Sequence, residues 1–279
     1  MDGSEGYMKQ ADVSVIITTR DEEKNIAGCL RSIRKQTYPG DRIEIIVVDN
    51  NSTDKTKEIA KRFTPLVFNH GPERSAQRNF GAREAGGKYL LFLDADMCLN
   101  PGVVGECVRL CGKDGYAGLY IPERIVGEGF WIKVRDFERS FYDGTVIDCV
   151  RFVTGAIFNE VEGFDENLTG PEDWDFDKKV RNLGSVTVIK SKLNHGEGTF
   201  DRKRYFAKKR YYSRNIDAYE KKWGKDDSDI KKQLGAYYRF LGVFLERGKY
   251  IKLALHPILA LGMYYLRLRV GLDYILGER

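Results

Sequence analysis

The sequence predicts an α/β fold built on a mostly parallel sheet, and three observations carry that prediction. Apolar runs of strand length alternate with helix-period stretches as far as residue 97. Three of those runs end in polar or acidic turns, which would gather at one edge of a sheet. One of them, KYLLFLDADM at 88–97, passes abruptly from apolar residues to Asp94 and Asp96. A strand buried on both faces that ends this way delivers two carboxylates to the carboxyl edge, where open α/β folds hold ligands.

The elements follow in order. Residues 13–18 are a compact β-branched run and predict a buried strand. The turn at 19–22 leads to a helix with Ile26, Cys29, Leu30 and Ile33 on one face, which Asp21 is placed to cap. Residues 43–48 predict a second buried strand ending in Asp49. The stretch 50–54 has helix-start chemistry and opens a helix over about 55–63. A short strand at 66–68 and a helix over 73–85, closed by Gly86 and Gly87, precede the acidic strand. Beyond Leu99 the spacing predicts a helix at 103–111, a strand at 118–122, and a helix or loop over the site at 130–141. A strand at 152–158 follows, interrupted at 154–156. A loop at 170–176 enters a helix, and a strand at 186–189 leads to His195. No internal repeat is present. No GxxxxGK[ST] loop occurs and no GxGxxG follows the first strand, so kinase-like and NAD-type readings lack their phosphate-binding part.

Bulk properties narrow the class. The 279 residues suffice for one large α/β domain with an appendage, and 42% hydrophobic content can build its core. Residues 201–279 carry 19 Lys and Arg against 9 Asp and Glu, whereas the first 200 carry 27 against 32. A basic tail on a slightly acidic body predicts an anionic partner surface for the tail. The five cysteines show no paired metal spacing, which points to a reducing compartment without a disulfide framework. No signal-peptide core and no apolar run of about 18 residues is evident, so the chain is expected to be cytoplasmic.

Taken together, the motifs resemble family-2 glycosyltransferases of the GT-A fold. The matching pieces run in order: VSVIITTRDEE (13–23), VVDNNSTD (47–54), RNFG (78–81), LDAD (93–96), TGA (154–156), GFDE (163–166), EDW (172–174) and His195. The resemblance implies inverting, metal-assisted transfer of a sugar from a nucleoside-diphosphate donor to a hydroxyl. It implies Mn²⁺ or Mg²⁺ held by Asp94, Asp96 and His195, and Asp173 as the base that deprotonates the acceptor. Thr18, Arg20, Glu22, Asp49, Asn50, Arg74, Arg78, Asp94, Ala95 and Gly155 are expected to line the donor. Glu172 and Trp174 are expected at the acceptor or sugar. Two departures bear on the donor. Many relatives carry a second acid where this chain has Asn50, which leaves both UDP and GDP open with UDP favoured, and Asp21 stands where Asn is common. From the residues alone the bland accounts stay open: an acidic strand-end turn, acids decorating a helix N-terminus, a loop histidine, solvated arginines.

The expected organisation is a flexible segment at 1–11, a GT-A catalytic domain at 12–200, and a basic, aromatic helical extension at 201–279. In that extension Tyr, Leu and Ile interleave with Lys and Arg, as in amphipathic helices that lie in a membrane interface. Packing on the domain is the alternative. The membrane reading predicts a lipid-linked acceptor and a peripheral place on the inner face of the membrane. Nucleic acid is not expected, since no recognised nucleic-acid module accompanies the basic residues. A polyprenyl-phosphate monosaccharide synthase and an inactive nucleotide-sugar binding module remain alternative functions.

Overall fold

A computed structural model describes residues 11–275. The expected flexible segment therefore falls, but for residue 11, outside the described residues. The first half alternates strand and helix: β1 (Val13–Thr19), α1 (Ile26–Arg34), β2 (Ile43–Asp49), α2 (Thr56–Lys61), β3 (Val67–Asn69), α3 (Arg74–Arg83) and β4 (Tyr89–Asp94). The second half holds β5 (Met97–Leu99), α4 (Val103–Lys113), β6 (Gly118–Tyr120), β7 (Glu123–Glu128), α5 (Phe130–Arg139), β8 (Phe152–Thr154), α6 (Gly155–Glu160) and α7 (Glu172–Leu183). Then come β9 (Val186–Val188) and β10 (Leu193–Thr199). The C-terminal helices are α8 (Arg202–Tyr212), α9 (Ile216–Trp223), α10 (Ser228–Leu234), α11 (Val243–Leu245), α12 (Tyr250–Leu255) and α13 (Pro257–Ile275).

The main sheet has seven strands in the order β3-β2-β1-β4-β8-β6-β9. β1 pairs in parallel with β2 and β4, so Thr18, Asp49 and Asp94 lie at one edge. β8 runs antiparallel to both β4 and β6, which makes the sheet mixed while its first four strands stay parallel. A second sheet of three strands, β5-β10-β7, stands where the acidic strand ends.

The interior strands are apolar on both faces because helices cover both. One core packs Val13, Val15, Ile17, Leu91 and Leu93 against α1 and α4. The other packs Ile16, Leu90 and Phe92 against Phe158, Phe164 and Phe176. Phe164 and Phe176 stack at 4.2 Å between centroids, with Phe92 edge-on to Phe164 at 5.2 Å. Phe176 is fully buried. Phe176→Ala is expected to cost about 3–5 kcal/mol, read as a lower urea midpoint with an unchanged slope. On this face α3 lies close to the sheet: a Cβ on Gly81 would stand 2.5 Å from Ile16 Cγ2. Glycine in RNFG thus lets the arginine-bearing helix approach β1.

Several expectations are corrected. Residues 155–158 are not strand but the start of α6, because the Thr154 side chain caps it by accepting from the Ile157 amide at 3.1 Å. Residues 130–141 form helix as far as Arg139; its apolar face packs with α13 while Arg139 reaches Glu123. Asp21 does not cap α1; it sits at φ 52° and its carboxylate accepts from the Thr53 amide at 2.8 Å, tying the first turn to the second. A third core joins Val134, Phe137 and Phe141 to Phe206, Tyr238, Val243, Phe244, Met263 and Leu266, so the basic extension packs on the body. Its outer face stays apolar and exposed: Leu255 and Ile258 at 69%, Leu261 at 72%.

Candidate active site

The site is assembled where the two sheets meet. β4 carries Asp94 to the carboxyl edge, where Thr18 at the end of β1 donates its hydroxyl to Asp94 Oδ1 at 3.0 Å. The chain then turns through buried Ala95, whose amide donates to the Thr18 carbonyl at 3.2 Å, and enters β5 after Asp96. β10 pairs antiparallel with β5 so that His195 stands opposite Met97. The Gly196 amide donates to the Asp96 carbonyl at 2.9 Å. Register alone therefore brings His195 to Asp96, with Nε2 3.0 Å from Asp96 Oδ2.

The two aspartates face different partners. Asp94 faces the arginines of α3, which sit one turn apart on one helix face. Arg78 Nη2 donates to Asp94 Oδ1 at 3.3 Å and Arg74 Nη1 lies 3.8 Å from Oδ2. The same guanidinium groups reach the first turn of α7. Arg78 Nη1 donates to Asp173 Oδ1 at 2.6 Å, and Arg74 Nη2 donates to Glu172 Oε1 at 3.0 Å. Burial alone would push these carboxylates up. For Asp94 and Asp173 the fields of Arg78, Arg74 and Arg151 win and hold both below the ordinary carboxylate range. Glu172 goes the other way, because burial and the neighbouring Asp173 charge outweigh Arg74. Arg78 is only 2% exposed and its guanidinium also lies 4.9 Å over the Phe164 ring. It is a buried strut between strand end and helix start, not a solvated side chain.

Asp96, in the turn before β5, faces the second sheet instead. His195 Nδ1 lies 2.7 Å from Glu123 Oε1 on β7, and Arg139 and Arg151 donate to Glu123 Oε2 at 3.3 and 3.1 Å. Although burial opposes it, the two flanking carboxylates push His195 up to about 10. Asp96 Oδ1 is buried with no hydrogen-bond partner among the described residues.

Of the ligands expected for a cation, then, Asp96 and His195 converge. Asp94 does not join them; its oxygens are taken by Thr18 and the arginines. Among the described residues no group of three or more His, Cys, Asp or Glu could hold a metal. Glu22 stands close by, pushed up by burial and by the charges of Asp96 and Asp94.

The other expected donor contacts divide. Arg20 is at the rim, with a side chain 68% exposed. Asp49 is fully buried and braces its own turn, accepting from the Ser52 amide at 2.8 Å and from the Ser52 hydroxyl. Asn50 is buried and donates to the Pro72 carbonyl. Gly155 lies elsewhere. Because β8 is antiparallel to β4, Thr154 pairs with Tyr89 and the Gly155 amide donates to the Lys88 carbonyl, at the opposite edge from Asp94. Trp174 donates its indole N–H to the Ile147 carbonyl at 3.0 Å and packs with Tyr219, which leaves it structural work rather than an open platform.

The sequence reading missed Glu123, Arg139 and Arg151, which surround the histidine. It also missed Gln77, which donates to the carbonyls of Thr19 and Val48 at 3.1 and 2.6 Å and joins the ends of β1 and β2. Only the cap at Thr154, which ends β8 and so fixes which edge Arg151 reaches, left a local signal.

The sequence and the fold have known counterparts. The model of the glycosyl transferase family 2 matches residues 14–160, more than half of the sequence. The chain belongs to glycosyl transferase family 2. Its fold is that of GT-A glycosyltransferases, with a large, mostly parallel central sheet and helices at the C-terminus. Among curated relatives, this family-2 chain is 42% identical over 91 residues to the glycosyltransferase AglE of Haloferax volcanii, which covers 30% of each protein. It is 35% identical over 133 residues to the poly(ribitol-phosphate) β-N-acetylglucosaminyltransferase TarS of Staphylococcus aureus, 41% of this chain and 23% of that one. The matched part thus spans a third or less of those relatives' length. Among solved structures, the mannosyltransferase PcManGT from Pyrobaculum calidifontis, in complex with GDP-Man and Mn²⁺, superposes with a TM-score of 0.62. That match covers 96% of this chain and 81% of that one at 20% identity. S. aureus TarS in complex with UDP-GlcNAc gives 0.57, covering 85% and 76% at 21% identity.

Proposed function

We propose that this family-2 chain transfers a sugar, with inversion, from a nucleoside-diphosphate donor to the hydroxyl of a lipid-linked acceptor at a membrane surface. The observation that carries the proposal is the Arg78 bridge. One buried guanidinium ties Asp173 to Asp94, so the candidate base and the strand-end acids share one mouth although they are far apart in sequence.

Inverting displacement needs a single base on the face of the sugar opposite the leaving group. Asp173 suits that role: Arg78 keeps it ionised, and a carboxylate side chain 28% exposed can still meet an incoming alcohol. The proton leaves the acceptor hydroxyl for Asp173 as the acceptor oxygen attacks the anomeric carbon and the bond to the diphosphate breaks. General-base help of this kind is typically worth about 10²–10⁴-fold. Glu172, held by Arg74, positions the turn that carries the base. Arg74 itself, on the solvent side of Arg78, is the arginine placed to meet a diphosphate.

A divalent cation fits beside Asp96 and His195. Asp96 Oδ1, without a partner among the described residues, would supply an oxygen, and the imidazole, once its Nε2 proton is displaced, a nitrogen, with Glu123 orienting the ring from behind. Such an oxygen and nitrogen pair would suit Mn²⁺ or Mg²⁺. When bound, the cation neutralises charge on the departing nucleoside diphosphate. The GDP-Man and Mn²⁺ complex of PcManGT and the UDP-GlcNAc complex of TarS support the donor class and leave both bases open. Thermal unfolding across a panel of UDP- and GDP-sugars with Mn²⁺ tests this reading. One donor is expected to raise Tm selectively, and only with the cation present. No stabilisation by any nucleotide sugar would refute the assignment.

The acceptor rests on the C-terminal face. Leu255, Ile258, Leu261 and Leu268 are exposed in series, with Lys252 and Arg269 on neighbouring turns. Among the described residues no helix is long and apolar enough to cross a membrane. Exposed apolar side chains flanked by bases fit the headgroup boundary of an anionic leaflet, which we place at the inner face. Wild type is expected to float with anionic liposomes, and Ile258→Glu with Leu261→Glu to stay in the soluble fraction. Equal recovery of both would count against membrane attachment.

A further inference from the structure

A second feature lies beyond the catalytic mouth, where α5, the end of β10 and α13 meet. There Trp131, Phe200, Arg202, Tyr265 and Leu266 line a cleft of about 260 Å³. Trp131 stands 5.9 Å from Phe200 and 5.7 Å from Tyr265 between ring centroids, so its indole is flanked by two further rings. Leu266 closes the base and is fully buried. None of these side chains serves the reaction outlined above.

Each side of the cleft leads somewhere. On one side Tyr265 and Phe130, both 43% exposed, continue into the apolar face of α13 through Leu261 and Leu268. On the other side α8 begins with Arg202, Lys203 and Arg204, all exposed. Asp201 is spent as the cap of that helix, its side chain accepting from the Arg204 amide. Arg202 has no carboxylate partner among the described residues. The charge of Arg204 is felt at Glu22, the same residue that feels Asp94 and Asp96. Arg204 therefore lies within electrostatic reach of the catalytic edge. Four residues separate His195 from Phe200, at most about 16 Å at about 3.3 Å per step and less because β10 is bulged between Gly196 and Gly198, which leaves room for a sugar headgroup between cleft and site.

We propose that this cleft holds the lipid end of the acceptor, a long-chain lipid phosphate. Its chain lies among Trp131, Phe200 and Tyr265, and its phosphate rests on Arg202. The inference depends on the transferase reading. An apolar chain alone would not call for a basic turn at one end only, and a soluble anion would not call for three rings. The volume falls below the roughly 300–1,000 Å³ of a drug-sized pocket, so the cleft takes the segment of chain nearest the phosphate. The remainder runs out over the exposed face of α13. Arginine matches a phosphate with paired donors, which sets charge and geometry together.

Calorimetric titration of the full chain tests this, with farnesyl phosphate, farnesol and inorganic phosphate as separate ligands. Farnesyl phosphate is expected to saturate one site at least about ten-fold more tightly than either of the others, and Arg202→Ala to weaken it by about the same factor. Trp131→Ala should weaken farnesyl phosphate as well. If that variant fails to fold, the exposed Arg202 position still decides the matter. The same samples are titrated with UDP and GDP in the presence of Mn²⁺, which should bind equally to wild type and variants. Farnesyl phosphate binding no tighter than farnesol, or unchanged in Arg202→Ala, overturns the cleft while intact nucleotide binding leaves the transferase reading standing. Farnesyl phosphate binding in a wild type that binds neither nucleotide overturns the acceptor assignment instead.

Discussion

Asp173→Asn is expected to lower the transfer rate by about 10²–10⁴-fold, about 3–5 kcal/mol of transition-state stabilisation. Donor affinity should stay near that of wild type. The substitution removes proton affinity and keeps shape. An asparagine oxygen can still accept from Arg78 Nη1, now 2.6 Å from Asp173 Oδ1, so the strut between α3 and α7 has a partner at both ends. The damage therefore falls on the step in which the acceptor hydroxyl loses its proton. Steady-state kinetics with the selected donor separates the effects: kcat falls, and the donor KM does not rise. A variant with wild-type kcat would show that Asp173 is not the base. A merely structural role would instead appear as a lowered Tm with activity proportional to the folded fraction.

Asp96→Ala should act at the other end of the reaction. Here the loss is joint: Mn²⁺ and nucleotide weaken together, each by at least about 100-fold, since altering even outer-shell partners of a metal typically costs about 10–100-fold in affinity. The variant also leaves His195 facing Glu123 alone. Titrating Mn²⁺ by its electron paramagnetic resonance signal, with and without nucleoside diphosphate, reads both affinities. In Asp94→Asn, by contrast, Mn²⁺ binding should persist, because Asp94 faces Thr18 and the arginines. Equal loss in the two variants would mean that Asp94 turns to the cation when the donor binds.

Much of the fold was legible because its central strands are buried on both faces. β1, β2 and β4 read as apolar runs, broken before their ends only by Ser14, Glu44 and the Thr18–Thr19 end of β1, and the acids that end β2 and β4 stand out against them. The second sheet was not legible. β10 is Leu193-Asn-His-Gly-Glu-Gly-Thr, with neither alternation nor an apolar run, and β7 opens on Glu123 and Arg124. Their pairing is a tertiary event between strands some 70 residues apart in sequence, so no local window records it. That is why His195 entered through family resemblance while its partner Glu123 went unnoticed. β8 misled for a different reason. Ile157 and Phe158 have strand-like side chains, but Thr154 caps a helix there, and the antiparallel turn of the chain carries Gly155 away from the site while bringing Arg151 towards it. Arg78 was found by motif and Arg74 by its place on the same helix, whereas their pairing with Asp173 and Glu172 of α7 followed only from how α3 lies on the sheet.

The most direct test of the account is a crystal structure with Mn²⁺ and a nucleoside diphosphate, read by the anomalous signal of the metal. One Mn²⁺ peak is expected at Asp96 and His195, with the diphosphate beside it and Asp173 across the space left for the sugar. A nucleotide seated at this edge with no metal at Asp96 and His195, or with Asp173 turned away from that space, would contradict it.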